Sequence, residues 1–188
     1  MKKTKKRFAG KKILLCVSGS IAAYKSCELV RDLREEGADV TCLMTQSAQK
    51  FIAPITFQAL SANPVYTDPF SDRSDWAVLH TTLADQADLI LVSPASANLI
   101  ARLANGMADD LVTSVILASR AKVLVVPAMN DNMYVHPITQ ENIAKLRKIY
   151  HFTDPIKGDL VCGREGVGHI AENETILEKA YSIISRKV

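Results

Sequence analysis

The chain has 188 residues, 48% of them hydrophobic and 23% charged, which suits one soluble globular domain and argues against a disordered or fibrous chain. Lys2, Lys3, Lys5, Lys6 and Arg7 carry five positive charges, so the net +3 less those five leaves a formal −2 on the other 181 residues. With a near-neutral body, no apolar run near the roughly 18 residues of a membrane span and no apolar stretch behind the basic head, neither nucleic acid nor a membrane is expected as a partner, and the cytoplasm is the expected location.

Residues 1–10 read as a basic disordered tail and 11–188 as one domain. KILLCV (12–17) is a continuous apolar strand, followed by a helix over 20–36 with Leu29, Val30 and Leu33 on one face and Gly37 as its stop. DVTCLM (39–44) is the second strand; helices are predicted over 45–52 and 55–61, and a short strand over 65–67. A helix over 77–87 leads into the strand DLILVS (88–93), two more follow over 96–105 and 109–119, and KVLVVP (122–127) is the next strand. A helix over 138–149, a short strand over 149–153 and a last helix over 173–186 complete the pattern. Between the last two, DPIKGDLVCGREGVGHIAE (154–172) holds four glycines and little periodicity, and reads as a flexible substrate loop.

Continuous apolar strands alternating with helices predict an α/β fold, a single-domain, doubly wound (Rossmann-like), mostly parallel sheet with helices on both faces. Ligands of such sheets bind beyond the carboxyl ends of the strands. Of the four cysteines, Cys16 and Cys42 fall inside strands as small hydrophobes. No C-x-x-C spacing or nearby histidine pair points to a metal, so none is expected.

VSGSIAAYK (17–25) fills the first strand-to-helix turn, where backbone N–H groups and the helix dipole favour an anion. It lacks G-x-G-x-x-G and the end of a Walker A loop, which points to a mononucleotide phosphate. Ser20 alone reads equally well as a helix cap. MTQSAQKF and SPASANLIARLANGMADDL likewise put Ser and Thr at helix starts behind strand ends, so three strand ends converge on one crevice. In PAMNDNMY (127–134) a lone Asn130 stands between Met129 and Met133 with Tyr134 behind and no glycine in the turn. It is either an Asx-turn residue or one polar group set in a soft apolar wall.

Gly19-Ser20-Ile21, SPASANLIARLANGMADDL and PAMNDNMY together resemble the flavin-containing cysteine decarboxylases over nearly the whole chain. His80 and LVCGREGVG resemble the branch of that family that acts on phosphopantothenoylcysteine in coenzyme A biosynthesis. The resemblance implies an FMN held by Gly19, Ser20, Ile21, Thr45, Ser47, Phe51, Ser93, Ala95, Ser96 and Asn98. It also implies catalysis by His80, Asn130 and Cys162, substrate contacts from Asn130 and Met133, and a homotrimer whose subunit contact completes the site. Tyr134 stands where the family has Trp, Gln86 where a Trp is common, and Arg164 where it has an acidic residue.

The implied chemistry accounts for these residue types. Direct loss of CO2 from an acylcysteine leaves a carbanion with no electron sink, whereas oxidation of the thiol to a thioaldehyde provides C=S to receive the electrons. That calls for a reversible two-electron acceptor, the flavin. Asn130 can orient the carboxylate without a positive charge that would stabilise it against loss. His80 suits a base or orienting group, though alone it reads as a surface histidine at a helix start, and Cys162 suits a proton donor to the ene-thiol. His136, His151 and His169 read as ordinary histidines. A peptidyl-cysteine decarboxylase shares the fold, FMN, His80 and Asn130, and a non-catalytic phosphatase-regulatory relative shares the fold.

Overall fold

The computed structural model describes residues 6–68, 79–159 and 165–185. Strand β1 (Lys12–Val17) leads into helix α1 (Ala23–Glu35) and β2 (Asp39–Met44) into α2 (Pro54–Ser61); β3 (Val65–Tyr66) and α3 (Leu79–Gln86) follow. Beyond them come β4 (Leu89–Ala95), α4 (Ala97–Ala104), α5 (Leu111–Ala118), β5 (Lys122–Pro127), α6 (Asp131–Val135) and α7 (Pro137–Leu146). The chain continues through β6 (His151–Phe152), β7 (Ile156–Asp159), β8 (Glu165–His169) and α8 (Asn173–Ser185).

Six strands form one parallel sheet in the order β3-β2-β1-β4-β5-β6, and β7 and β8 form an antiparallel pair of their own. The strand order reverses at β1 and β4, so the crevice of this doubly wound sheet lies over their carboxyl ends. Side chains alternate between two cores. Ile13, Leu15, Val17, Leu89, Leu91, Leu124 and Val126 pack under Leu29, Val30 and Leu33 of α1, Phe57 of α2 and Ile176 and Leu177 of α8. Leu14, Cys16, Ile90, Val92, Val123 and Val125 face Leu83 of α3, Leu99 of α4, Val115 of α5 and Ile143 of α7. Burial on both faces explains the unbroken apolar runs, each full-size side chain stabilising the fold by about 1.5–3 kcal/mol. Burial also pushes the Cys42 thiol up to about 12 and raises that of Cys16, so both behave as hydrophobes.

Four expectations change. The disordered tail does not extend to residue 10: Phe8 is fully buried, with its ring edge-on to Tyr181 at 6.0 Å, and Arg7 pairs with Glu36 and Glu174. An apolar residue flanked by a paired cation belongs to the fold, and residues 1–5 lie outside the described chain. The helix over 45–52 reduces to a single 3₁₀ turn, Ala48–Lys50. Pro54 occupies the first turn of α2 and holds Ala53 extended (φ −68°, ψ 140°), which breaks the helical run. Helix α6 was not expected, since five residues are too few to show a period. The segment 154–172, read as a loop, contains the β7–β8 hairpin. Its glycines serve close approach: a Cβ on Gly168 would stand 2.2 Å from the Met129 carbonyl oxygen, and one on Gly166 2.7 Å from Cβ of Asp131.

Candidate active site

A cleft of about 810 Å³ opens over the carboxyl ends of β1, β2, β4 and β5. Its walls come from four turns, each built by a local rule. After β1, Ser18 donates to the Pro94 carbonyl at 2.7 Å and accepts from the Ser96 N–H at 2.8 Å, fixing the ends of β1 and β4 together. Gly19 follows because a Cβ there would lie 2.5 Å from Cβ of Ser47, so only hydrogen lets the β1 and β2 turns touch. Along β4 the pairing with β5 shifts register between Val92 and Ala95, where Pro94 has no N–H to give.

Three hydroxyls of the cleft share one state. Ser20 accepts from the Ala22 N–H (3.3 Å), Thr45 from Ala48 (3.2 Å) and Ser96 from Leu99 (3.3 Å). A hydroxyl used as an acceptor keeps its proton to donate, so these three O–H groups remain available to an anion. Ser96 caps α4, and α1 starts beside Ser20, so two helix N-termini reinforce the preference. Ser20 is not the cap of α1, whose N-cap is Ala22 without a side-chain hydrogen bond; it closes the turn just before the helix and keeps its hydroxyl proton to donate.

Gly19, Ser20, Thr45, Ser47, Ser96, Asn98 and Met133 line the cleft. Ile21, next in sequence to Ser20, and Phe51, the C-cap of the 3₁₀ turn, are half-exposed apolar side chains outside the lining, and Ser93 and Ala95 lie fully buried in β4. The Ser93 hydroxyl has no hydrogen-bond partner among the described residues. Asn130 sits in the turn between β5 and α6, beside Met129 of the cleft wall. Its Oδ1 accepts from the Asn132 N–H at 3.0 Å, and its carbonyl takes the N–H of Tyr134 at 2.9 Å. Tyr134 is half-buried, and burial, with the Asp154 carboxylate adding, raises its phenol pKa. His80 is half-buried on α3 and is not in the described wall of the cleft. Cys162 lies outside the described residues.

Residue-by-residue reading missed the charged rim. Arg102, 14% exposed, reaches Asp110 at 2.8 Å and Asp109 at 3.0 Å, and Thr113 at 3.3 Å; all but Thr113 line the cleft, as does Asp68. The hydrogen bond from Arg102 holds the Asp109 carboxyl below its ordinary range. The cation is thus engaged by two carboxylates, and among the described lining residues hydroxyls, the side-chain amides of Gln46, Gln49 and Asn98 and backbone N–H groups remain as donors for an anion. The available signal was Asp110 three residues before Thr113, a capping box that fixes α5 and aims Asp110 at Arg102.

A model of the family described as Flavoprotein matches residues 1–185. The chain belongs to the Flavoprotein family. A Flavoprotein relative, the probable phosphopantothenoylcysteine decarboxylase of Streptococcus mutans serotype c, is 49% identical over 172 residues, covering 90% of this chain and 96% of that protein. The coenzyme A biosynthesis bifunctional protein CoaBC of Bacillus subtilis is 48% identical over 169 residues, or 89% of this chain, which spans only 42% of that protein. Among solved structures, a PPC decarboxylase mutant complexed with pantothenoylaminoethenethiol superposes with a TM-score of 0.81 at 30% identity, over 90% of this chain and 96% of that one. The FMN-dependent cysteine decarboxylase SpaF gives 0.84 at 26%, over 95% and 99%.

Proposed function

We propose that this Flavoprotein-family chain binds FMN and decarboxylates 4'-phosphopantothenoylcysteine to 4'-phosphopantetheine in coenzyme A biosynthesis. The observation that carries the reading is a 49% identical relative of matching length that bears the decarboxylase name, joined to a cleft of mononucleotide size at the sheet crossover. The cleft fits the cofactor. Ser20, Thr45 and Ser96 have hydroxyl protons to give, and Ser93, buried in β4 with no partner for its hydroxyl among the described residues, would offer one more. Gly19, Ser20, Ile21, Thr45, Ser47, Phe51, Ser93, Ala95, Ser96 and Asn98 would hold FMN.

When bound, FMN supplies the reversible two-electron acceptor that interconverts thiol and thioaldehyde. The protein residues then position and protonate. Asn130, whose Oδ1 is committed to capping α6, meets the substrate carboxylate through its N–H2 end, while Met129 and Met133 exclude water. As CO2 leaves, the bonding electrons pass into sulfur. His80 orients or deprotonates the thiol, and Cys162 returns a proton to the ene-thiol carbon. Ile21, Tyr24, Phe51 and Ile55 expose large apolar side chains, which suits a homotrimer in which a neighbouring subunit covers apolar surface. Unpaired Cys16, Cys27 and Cys42 suit a reducing, cytoplasmic setting.

The test is to offer the purified protein phosphopantothenoylcysteine and a Cys-terminated peptide. A flavin chromophore and CO2 from the former alone are expected. CO2 from the peptide alone, or a protein that takes up no FMN, would overturn the reading.

A further inference from the structure

Lys25, in the first turn of α1, places its Nζ 2.9 Å from Nε2 of His169, the last residue of β8 and 144 positions away. The lysine side chain is 17% exposed, and its other partner is Glu172 at 3.8 Å, a carboxylate 66% exposed and weakly coupled. An ammonium group has donors and no acceptor, so Lys25 donates and Nε2 of His169 accepts. The residue before it, Gly168, takes the Met129 N–H on its carbonyl at 3.1 Å, and its missing side chain lets β8 lie against the Met129 carbonyl. Two hydrogen bonds, linked through the adjacent residues Gly168 and His169 of β8, therefore join the helix that starts at the β1 turn to the turn that carries Asn130.

We propose that Lys25 is a positioning residue: through His169 it fixes β8 against the Met129–Asn130 turn and so sets where the Asn130 amide stands in the cleft. The kinetic part rests on the decarboxylase reading; the structural part does not. A bond made only to stabilise α8 or the hairpin would leave Asn130 where it is when removed. A positioning bond shifts the turn, and a shift of about 1 Å at a reacting group costs up to about 100-fold in rate.

The experiment uses the FMN-loaded enzyme and the variants Lys25→Met, His169→Leu, the two combined, and the conservative Lys25→Arg and His169→Gln. Each disrupting single variant should lose about 5- to 100-fold in kcat with FMN content unchanged. The double variant should be no slower than the worse single one, because both break the same bond. His169→Gln, whose amide oxygen still accepts from Lys25, should keep most of the rate. Independently of activity, hydrogen exchange at the Met129 amide should quicken in both disrupting variants. Unchanged protection at Met129, losses that multiply in the double variant, or no loss of kcat in an active enzyme would overturn the assignment. If the wild type releases no CO2, the functional reading fails, and Met129 exchange still decides whether Lys25 fixes the turn.

Discussion

In the proposed mechanism Asn130 carries two duties on one amide. Oδ1 closes the N-terminus of α6, and the N–H2 end of the same group would donate to the substrate carboxylate. Asp would cap α6 as well as Asn does, yet would set a negative charge against a substrate carboxylate. Asn130→Asp is therefore expected to melt within about 1 kcal/mol of wild type and to keep its FMN spectrum. Its CO2 release should fall by at least about 100-fold, the scale lost when an oriented donor is removed. Thermal melting read beside turnover checks both halves, and an active Asn130→Asp would remove the carboxylate role. At this scale Ser20, Thr45, Ser96 and Asn130 were legible because polar residues at strand ends and helix starts already have a local reason to be there. Arg102 was not: a lone arginine inside a helix gives no sign of the two carboxylates that hold it until α5 folds back beside α4.

The sheet and the β7–β8 hairpin show opposite relations between pattern and fold. Each parallel strand is buried on both faces, so KILLCV or KVLVVP announces itself without reference to anything else. The hairpin strands EGVGH and IKGD read as loop because Gly166 and Gly168 lower strand propensity, and the reason for those glycines lies at Asp131 of α6 and at Met129 in the turn before it. A local pattern cannot report a tertiary contact. Gly168→Ala makes the point measurable: its methyl would lie 2.2 Å from a backbone oxygen, which no side-chain rearrangement relieves. Overpacking of this kind is expected to lower stability by about 1–3 kcal/mol and to displace the Met129–Asn130 turn with it. Denaturant unfolding and CO2 release should decline together in this variant. Loss of stability with full turnover would show that the hairpin does not support the turn.

Across the molecule, the two ends of the sheet divide the work. Cleft-forming turns cluster at the carboxyl ends, and the segment before β1 ties the opposite side of the fold by engaging α1 at Glu36 and α8 at Glu174. The backbone and side-chain hydrogen bonds from Arg7 hold the Glu36 carboxyl below its ordinary range, and the Arg7 side chain does the same to Glu174. Both carboxyls titrate lower in the fold than in the open chain. Their contribution is therefore whole above about pH 4.3 and disappears as the pH falls through the folded values. Glu36 and Glu174 are 31% and 62% exposed, so solvent screening limits the two pairs to about 1 kcal/mol together, or about 2–4 °C in Tm for a chain of this size. Arg7→Ala should thus melt a few degrees lower than wild type at pH 7, with the gap closing towards pH 3, while FMN retention at pH 7 stays the same. Melting curves at both pH values, with flavin content measured on the same samples, check this division. A gap that persisted at pH 3 would mean that Arg7 acts by packing over Phe8, and loss of flavin at pH 7 would mean that the two ends of the sheet are coupled.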